Sequence, residues 1–160
     1  MKQTNTIKTE RLTIYPFSEL EMEDLIALEV DEGMKQAYSE MLVGCKQHPK
    51  QRIWYTIWNM QLNDGTNRSV GDLAFKGLDS NGLVEIGYGI KSEYEGQGYM
   101  TEAVTAMASW ASEQPGVNIV EAETEDDNKA SQRVLEKAGF QLNGIMGVEG
   151  PRYEFVKVAK

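Results

Sequence analysis

One segment, from Ile86 to Ala103, constrains this chain more than any other, because it joins an apolar strand to a helix through a glycine-bearing turn. The strand Ile86-Gly87-Tyr88-Gly89-Ile90 is followed by Gly96-Gln97-Gly98, and an amphipathic run opens at Tyr99. Glycines let the backbone approach an oxygen-rich ligand, and the first N–H groups of a helix have no partner within the helix. The helix dipole favours negative charge at the same point. This order therefore predicts a site for a pyrophosphate group.

Several ligands compete for such a turn. The dinucleotide fingerprint needs a third glycine where Thr101 stands, and no following strand carries a ribose-binding acid at the expected distance. A nucleotide P-loop ends in Gly-Lys followed by Ser or Thr, and this turn has no such lysine. Coenzyme A, which also carries a pyrophosphate, is the remaining candidate. A turn that binds no ligand is the alternative that this segment alone leaves open.

The remaining pattern predicts an α/β (α+β) fold, with a mixed, mainly antiparallel sheet of about six or seven strands and helices on both faces. We expect residues 1–160 to form a single domain. The predicted strands are 7–15, 52–60, 69–76, 83–90, 117–125, 140–146 and 153–158, and the predicted helices are 18–30, 34–43, 99–111 and 128–138. Ser18 and Glu21 form a capping-box pair, and 44–51 is predicted as a loop. The tandem Trp54 and Trp58 leave a helix open within 52–60.

The charge balance bears on the possible partners. The chain has 16 Lys and Arg residues against 25 Asp and Glu residues, for a formal net charge of -9. Nucleic acid is not an expected partner, because its non-specific binding needs a basic face that displaces counterions. An acidic surface suits a cationic partner or serves solubility.

Cysteine content and apolar runs bear on location. Cys45 is the one cysteine, so no intrachain disulfide forms and a cytoplasmic location is expected. One cysteine and one histidine, His48, do not predict a structural zinc site. The stretch from Met1 to Thr9 lacks the apolar region of a signal peptide, and no run reaches the length of a membrane span.

A second strand-to-helix junction follows the first. Asn128-Lys129-Ala130-Ser131 opens the run that ends Ala138-Gly139-Phe140. Together the two junctions resemble the GNAT superfamily of N-acetyltransferases, and most of all its ribosomal-protein alanine acetyltransferase (RimJ/RimL type) branch. The same resemblance is carried by Thr9-Glu10-Arg11-Leu12, Pro16-Phe17, Val70-Gly71 and Glu85-Ile86-Gly87-Tyr88, so it covers essentially the whole chain.

The resemblance implies the fold and activity of that family. The fourth and fifth predicted strands would splay apart, and the pantetheine arm of acetyl-CoA (coenzyme A) would lie between them. Acetyl transfer to a primary amine, such as a peptide N-terminus or a small amine, would follow, with no metal. By analogy a homodimer is one assembly that the resemblance allows. Two alternatives stay open: a non-catalytic acetyl-CoA-binding or sensing module, and a degenerate GNAT fold that serves as an interaction protein.

The resemblance also implies which residues meet the cofactor. Backbone groups of Ile86 to Ile90 would contact the pantetheine and acetyl carbonyl, with Gly87 and Gly89 as places for a bulge. Asn128 would bond the pantetheine or serve as a helix N-cap, and Ser131 would protonate the departing thiolate or face solvent. The implied cofactor contacts are Tyr88, Gly89, Ile90, Gly96, Gly98, Tyr99, Met100, Thr101, Asn128 and Ser131.

The turn departs from the family pattern at Glu95, where Gln or Arg is usual, and at Met100, where Gly or Ala is usual. With Glu93 nearby, the turn carries two carboxylates beside the expected pyrophosphate. Each would repel it by about 1 kcal/mol at surface-like screening. Lys91 or Lys129 would offset part of this repulsion.

Amine acetylation needs a general base and a donor for the oxyanion. Glu85, on the strand before the expected bulge, is the first candidate for the base, and Glu123 on the following strand is the second. An exposed strand carboxylate without a catalytic role is the alternative for both. As the first candidate, Glu85 predicts that Glu85→Gln lowers turnover at least about tenfold and leaves cofactor affinity unchanged.

The acceptor is least constrained. The acidic run Glu121, Glu123, Glu125, Asp126 and Asp127 would lie beside the slot and attract a cationic amine, or would form a solvated strand edge. Trp54, Trp58 and the methionines would line an acceptor groove or pack in the core.

Overall fold

A computed structural model of the chain describes residues 5–156, which form a sheet of eight strands with four α-helices. The strands are β1 Ile7–Lys8, β2 Leu12–Pro16, β3 Ile57–Leu62, β4 Ser69–Leu78, β5 Leu83–Ile90, β6 Ile119–Glu123, β7 Phe140–Met146 and β8 Pro151–Phe155. The helices are α1 Glu19–Leu28, α2 Glu32–Gln47, α3 Tyr99–Ser112 and α4 Lys129–Lys137, with 3-10 helices at Pro49–Trp54 and Ser92–Tyr94. The predicted mixed, mainly antiparallel sheet is confirmed.

The sheet runs in the order β1-β2-β3-β4-β5-β6-β8-β7. Neighbouring strands are antiparallel except β5 and β6, which are parallel. These two strands pair at Leu83–Ile119, Val84–Val120 and Glu85–Glu121, whereas β5 continues to Ile90. Among the described residues, the second half of β5, from Ile86 to Ile90, has no paired residue on β6.

Successive side chains of a strand point to opposite faces, and each face of this sheet is covered by a helix pair. On one face, Val84 and Ile86 of β5 pack in a core with Val104 and Met107 of α3 and Leu135 of α4. On the other face, a smaller core contains Met22 of α1, Tyr38 of α2, Ile57 and Ala74. Among the helices within residues 5–156, none combines the length and apolar character of a membrane span.

The predicted N-terminus of α1 is confirmed in atomic detail. The backbone N–H of Glu21 donates to the Ser18 hydroxyl at 3.2 Å, and the N–H of Ser18 donates to the Glu21 carboxylate at 2.9 Å. This reciprocal pair satisfies donors that a helix end leaves free. Ser18, in an extended conformation, is therefore the N-cap, and the helix begins at Glu19.

The predicted strand over 52–60 is wrong in its first half. Pro49–Trp54 is a 3-10 helix, and β3 begins only at Ile57. Trp54 turns into the core, where its ring centroid lies 5.4 Å from that of Trp110. Core packing thus overrides the aromatic, β-branched composition that favours a strand.

Trp54 and Trp58 are core residues, with exposed fractions of 4% and 0%, so they do not line an acceptor groove. Three methionines, Met22, Met60 and Met107, are also fully buried. For these side chains the core interpretation is confirmed.

Smaller differences concern element ends. The predicted strand 7–15 is two strands, since the chain turns where the N–H of Thr9 donates to the Leu12 carbonyl at 2.9 Å. The predicted loop over 44–51 is mostly helical, because α2 continues to Gln47. Residues 157–158 of the last predicted strand lie outside the described residues.

Candidate active site

The turn between β5 and α3 has the geometry of an anion site. Gly98 is the N-cap of α3 and has φ of 83°, a left-handed conformation that glycine adopts without strain. No side chain caps this helix, and its first internal bond runs from the N–H of Glu102 to the Gly98 carbonyl at 3.1 Å. The N–H groups of the first turn are thus available to a ligand.

Thr9 and Arg11, from the motif Thr9-Glu10-Arg11-Leu12, stabilise this turn. Thr9 donates its hydroxyl to the Glu102 carboxylate at 2.5 Å, and Arg11 pairs with the same carboxylate at 2.7 Å. Arg11 also donates to the carbonyl of Gln97 at 3.0 Å and lies over the Tyr99 ring, 4.2 Å from its centroid. Burial opposes ionisation of Glu102, but the bonds from Thr9 and Arg11 outweigh it and lower its pKa. These contacts hold the glycine turn against β2.

A cavity of about 450 Å³ opens at this turn, between the end of β5, the start of α3 and α4. The ten implied cofactor contacts, from Tyr88 to Ser131, all line it, whereas Ile86 and Gly87, which were expected to offer backbone groups, do not. Its volume lies in the range of small-molecule sites. The cavity therefore brings these predicted contacts together.

Sequence reasoning missed five residues that also line the cavity: Tyr94, Ala130, Arg133, Val134 and Lys137. Four of them belong to α4 at spacings of three, four and seven residues, so they share one helix face. That stripe was visible in the sequence. Its cations, Arg133 and Lys137, supply the positive charge that was expected from Lys91 or Lys129.

The departures from the family pattern have distinct placements. Glu95 is exposed and lines the cavity, whereas Glu93 is exposed and does not appear among its lining residues. Met100 packs in the main core, with an exposed fraction of 7%. A methionine is therefore accommodated where the family usually has a smaller residue. The cavity has the donors and cations that coenzyme A phosphates need, with Glu95 as the opposing charge.

Asn128 and Ser131 occupy the start of α4. The side-chain oxygen of Asn128 accepts from the N–H of Ser131 at 3.1 Å, so the N-cap role is confirmed. The hydroxyl of Ser131 shares a hydrogen bond of 2.7 Å with the hydroxyl of Tyr88, so it does not simply face solvent. Burial raises the pKa of Tyr88, against the effect of this bond. Sequence reasoning assigned Tyr88 only backbone contacts and missed its hydroxyl.

A second cavity, of about 220 Å³, adjoins the first, and Tyr88, Asn128 and Ser131 line both. The second cavity is acidic: its charged lining residues are Lys76, Glu85, Glu123, Glu125 and Glu149. It contains all three predicted catalytic residues, Glu85, Glu123 and Ser131.

Thr124 also lines the second cavity. It is 4% exposed, and within residues 5–156 its hydroxyl is the one buried side-chain polar atom that lacks a hydrogen-bond partner. Such an orphan is costly unless a ligand or water satisfies it.

Arg152 of β8 forms ion pairs with three carboxylates beside this cavity. It pairs with Glu85 at 3.1 Å, Glu121 at 2.7 Å and Glu123 at 2.5 Å, and Glu85 also pairs with Lys76 at 2.8 Å. The backbone N–H of Glu149 and the Arg152 guanidinium lower the pKa of Glu123. Both predicted bases are thus held in ion pairs.

The interpretation of the acidic run as a solvated edge is wrong for its first part. Glu121 is 5% exposed and Glu123 is half-buried, whereas Glu125, Asp126 and Asp127 are exposed.

The sequence is similar to those of known N-acetyltransferases. The acetyltransferase (GNAT) domain family matches residues 11–141. YoaA of Bacillus subtilis (strain 168), an uncharacterized N-acetyltransferase, is 29% identical over 131 residues, which cover 81% of this chain and 72% of that protein. YjdG of the same strain, also an uncharacterized N-acetyltransferase, is 40% identical over 75 residues. That match covers 46% of this chain and 45% of YjdG, so the chain spans less than half of that relative.

The fold is similar to that of RimL, a ribosomal L7/L12 alpha-N-protein acetyltransferase, in a structure solved in complex with coenzyme A. The TM-score is 0.73 at 18% identity, and the similarity covers 95% of this chain and 98% of that chain. A structure of an acetyltransferase from Agrobacterium tumefaciens str. C58 gives a TM-score of 0.73 at 20% identity, covering 98% and 97% of the two chains. The predicted likeness to the RimJ/RimL branch is confirmed at the level of the fold.

Proposed function

This chain belongs to the GNAT acetyltransferase family, and from that premise we propose that it transfers the acetyl group of acetyl-CoA to a primary amine. The observation that carries the proposal is the junction of two cavities at Tyr88, Asn128 and Ser131. One cavity has donors and cations for phosphates, and the other is acidic. Transfer between an anionic donor and a cationic acceptor needs this arrangement, with the reacting groups meeting where the cavities join.

The phosphate end of the donor belongs at α3. The N–H groups of its first turn would bind the pyrophosphate, and the dipole of α3 favours the negative charge. Arg133 and Lys137 of α4, which line the same cavity, would pair with phosphate oxygens. When bound, acetyl-CoA would supply the acetyl group as an activated thioester.

The sulfur end belongs at the junction. The hydroxyl of Ser131, bonded to Tyr88 at 2.7 Å, would give a proton to the departing thiolate and recover it through Tyr88 or solvent. Backbone N–H groups of β5 near Gly87 and Gly89 would stabilise the oxyanion. Asn128 would hold α4 in place through its cap and keep the slot open.

The acceptor belongs in the acidic cavity. A protonated amine is attracted by Glu125 and Glu149, which are exposed and line it. The unpartnered hydroxyl of Thr124 would bond to the acceptor or the donor once either is bound. The acceptor class supported best is therefore a cationic primary amine, such as a peptide N-terminus or a polyamine.

One observation favours a second function. Arg152 pairs with both Glu85 and Glu123, so each predicted base already has a cationic partner. A non-catalytic acetyl-CoA-binding module would keep the first cavity and lose the base. Turnover on an amine panel separates the two functions, because a sensing module binds the cofactor and acetylates nothing.

The test begins with calorimetric titration of acetyl-CoA into the full chain, followed by an amine panel assayed by thiol release. We expect saturable binding with a dissociation constant of about 1–100 μM, and turnover on cationic amines. Absence of binding at about 1 mM cofactor would overturn the enzyme and the sensing module together.

A matched pair of variants on α4 locates the binding site. Arg133→Gln removes a cation that lines the cavity, so the dissociation constant for acetyl-CoA should rise about fivefold. Lys129→Gln removes a charge from the same helix at a residue that does not itself line the cavity, and it should change the dissociation constant by less than about twofold. Equal effects would place the cofactor elsewhere.

A further inference from the structure

The face of β5 that points toward α1 and α2 is open at two positions. A Cβ atom added at Gly87 or at Gly89 would meet no heavy atom within 4 Å beyond its neighbours in the chain. These residues pair with Ala74 and Asp72 of β4, and paired residues of neighbouring strands share a face. Asp72 therefore stands beside an open stretch of β5 whose Gly89 also lines the cofactor cavity.

Asp72 has few polar partners at this position. It is half-buried, and the Tyr38 hydroxyl of α2 donates to its carboxylate at 3.4 Å, close to the limit for a hydrogen bond. Its neighbour on β3 is Asn59, which is engaged with Tyr15 and Ser69. The carboxylate is thus held weakly and keeps capacity to accept a proton.

Glu85 lies on the same face of the sheet, on the other side of the open stretch. Unlike Asp72, it is paired with cations. Its two carboxylate oxygens are bound by Lys76 at 2.8 Å and by Arg152 at 3.1 Å. Both oxygens of Glu85 therefore already face a cation. Of the two carboxylates that flank the glycines, Asp72 is the one without a cation in hydrogen-bond contact among the described residues.

We propose that Asp72 is the general base that takes the proton from the acceptor amine, with Tyr38 as the residue that orients its carboxylate. This assignment rests on the proposed acetyl transfer. It places the base on β4, across the strand pair from Gly89 and outside the lining of both cavities. The acceptor amine would therefore lie over the two open glycines, of which Gly87 lines the acidic cavity. Glu85 is left to the ion-pair cluster of Arg152.

The charge environment supports the assignment. Burial raises the pKa of Asp72 to about 6, and Glu29 at the end of α1 acts in the same direction. The Tyr38 hydroxyl and Lys91, which follows β5, act against it. Burial and the charges of Asp72 and Glu29 raise the pKa of Tyr38 to about 12, so Tyr38 stays protonated as a donor. A base tuned close to neutral pH is the efficient kind.

The step balances in atoms and charge. A carboxylate oxygen of Asp72 takes one proton from the ammonium nitrogen, and the freed lone pair forms the C–N bond of the amide. The C–S bond breaks with its electron pair on sulfur. The sulfur receives a second proton of the nitrogen through the Ser131 hydroxyl, and one hydrogen remains on the amide nitrogen.

The test compares Asp72→Asn with Asp24→Asn, which makes the same change on the exposed side of α1. Acetyl transfer to a lysine-like amine, which itself titrates at about 10.4, is measured as kcat against pH. Wild type should show an acid limb near the pKa of Asp72, about 6. Asp72→Asn should lower kcat about 100-fold and remove this limb, with acetyl-CoA affinity within about twofold, while Asp24→Asn behaves as wild type.

Tyr38→Phe gives a second readout. The Tyr38 bond lowers the pKa of Asp72, so its removal should move the acid limb to higher pH. A limb that stays in place in both Tyr38→Phe and Asp72→Asn would assign the titration to another group and overturn the proposal.

Thermal unfolding gives a readout that needs no activity. The folded chain keeps the Asp72 proton up to about pH 6, whereas the unfolded chain releases it near 3.8, so stability falls as pH rises between these values. Asp72→Asn should therefore raise the unfolding temperature at about pH 8 and not at about pH 4. A lower unfolding temperature at pH 8 would mark Asp72 as a structural residue and overturn the assignment.

The outcomes separate this assignment from the proposed function. An active wild type whose rate survives Asp72→Asn within about twofold overturns the base and leaves acetyl transfer intact. A wild type that binds acetyl-CoA but acetylates no amine overturns both and favours the sensing module.

Discussion

The two faces of β5 use one strand in opposite ways. The side chains of Val84, Ile86 and Tyr88 point toward α3 and α4, where they are packed or, for Tyr88, hydrogen-bonded to Ser131. On the other face, Gly87 and Gly89 leave open space. The first face is packed and borders the first cavity, whereas the second leaves the backbone open, and there we propose that the acceptor binds.

The open face also shows how the partners of a carboxylate distinguish one candidate base from another. The open face is flanked by two carboxylates, Glu85 and Asp72, that look equivalent as strand residues. Arg152 and Lys76 neutralise the first, and Tyr38 only orients the second. A carboxylate's chemistry here depends on its partners rather than on its place along the strand.

The largest expected effect concerns the ion pairs of Arg152. Arg152→Met leaves Glu85, Glu121 and Glu123 facing one another without their cation, so we expect unfolding to become easier by about 3–5 kcal/mol at pH 7. Because the pKa of Glu123 is lowered, its part of this loss should disappear as the pH falls through that pKa, below the ordinary range of glutamate. Arg152→Lys, which retains the charge, should lose less. Unchanged thermal unfolding in Arg152→Met would mean that the cluster is solvated, and the contrast with Asp72 would disappear.

A smaller effect concerns the Ser131 hydroxyl, which is bonded to Tyr88 on the packed face of β5. Ser131→Ala removes the hydroxyl that lies 2.7 Å from Tyr88, and we expect kcat to fall about tenfold because the thiolate loses its nearest proton donor. The affinity for acetyl-CoA should change little. Ser109→Ala, on the exposed side of α3, is the control. Equal rates for both variants would show that sulfur is protonated by solvent.

The smallest effect concerns the end of β5. Glu95→Gln removes the carboxylate that lines the donor cavity, so acetyl-CoA should bind about fivefold more tightly at low salt, and less so at high salt. Glu93→Gln makes the same change in the same turn, at a residue that does not itself line the cavity. If the two variants bind alike, Glu95 points its charge away from the pyrophosphate.

The first cavity, between β5, α3 and α4, was largely predictable from the sequence. The strand end, the glycines and the helix start are contiguous in the sequence, and their chemistry lies in the backbone. The predicted contacts from Tyr88 to Thr101 therefore all line the cavity. Arg133 and Lys137 were missed although their helical spacing was available. Within 52–60 the prediction failed, because burial of Trp54 against Trp110 outweighs local strand preference.

The sequence by itself determined the family, the mixed sheet and the turn that would hold a pyrophosphate, because each depends on residues close together along the chain. Only the tertiary structure decided which carboxylates are free. Arg152 reaches Glu85 from β8, and Tyr38 reaches Asp72 from α2, across separations that no local pattern encodes. Ionisation and proton affinity depend on burial and on charges within a few ångströms, and folding alone brings those together.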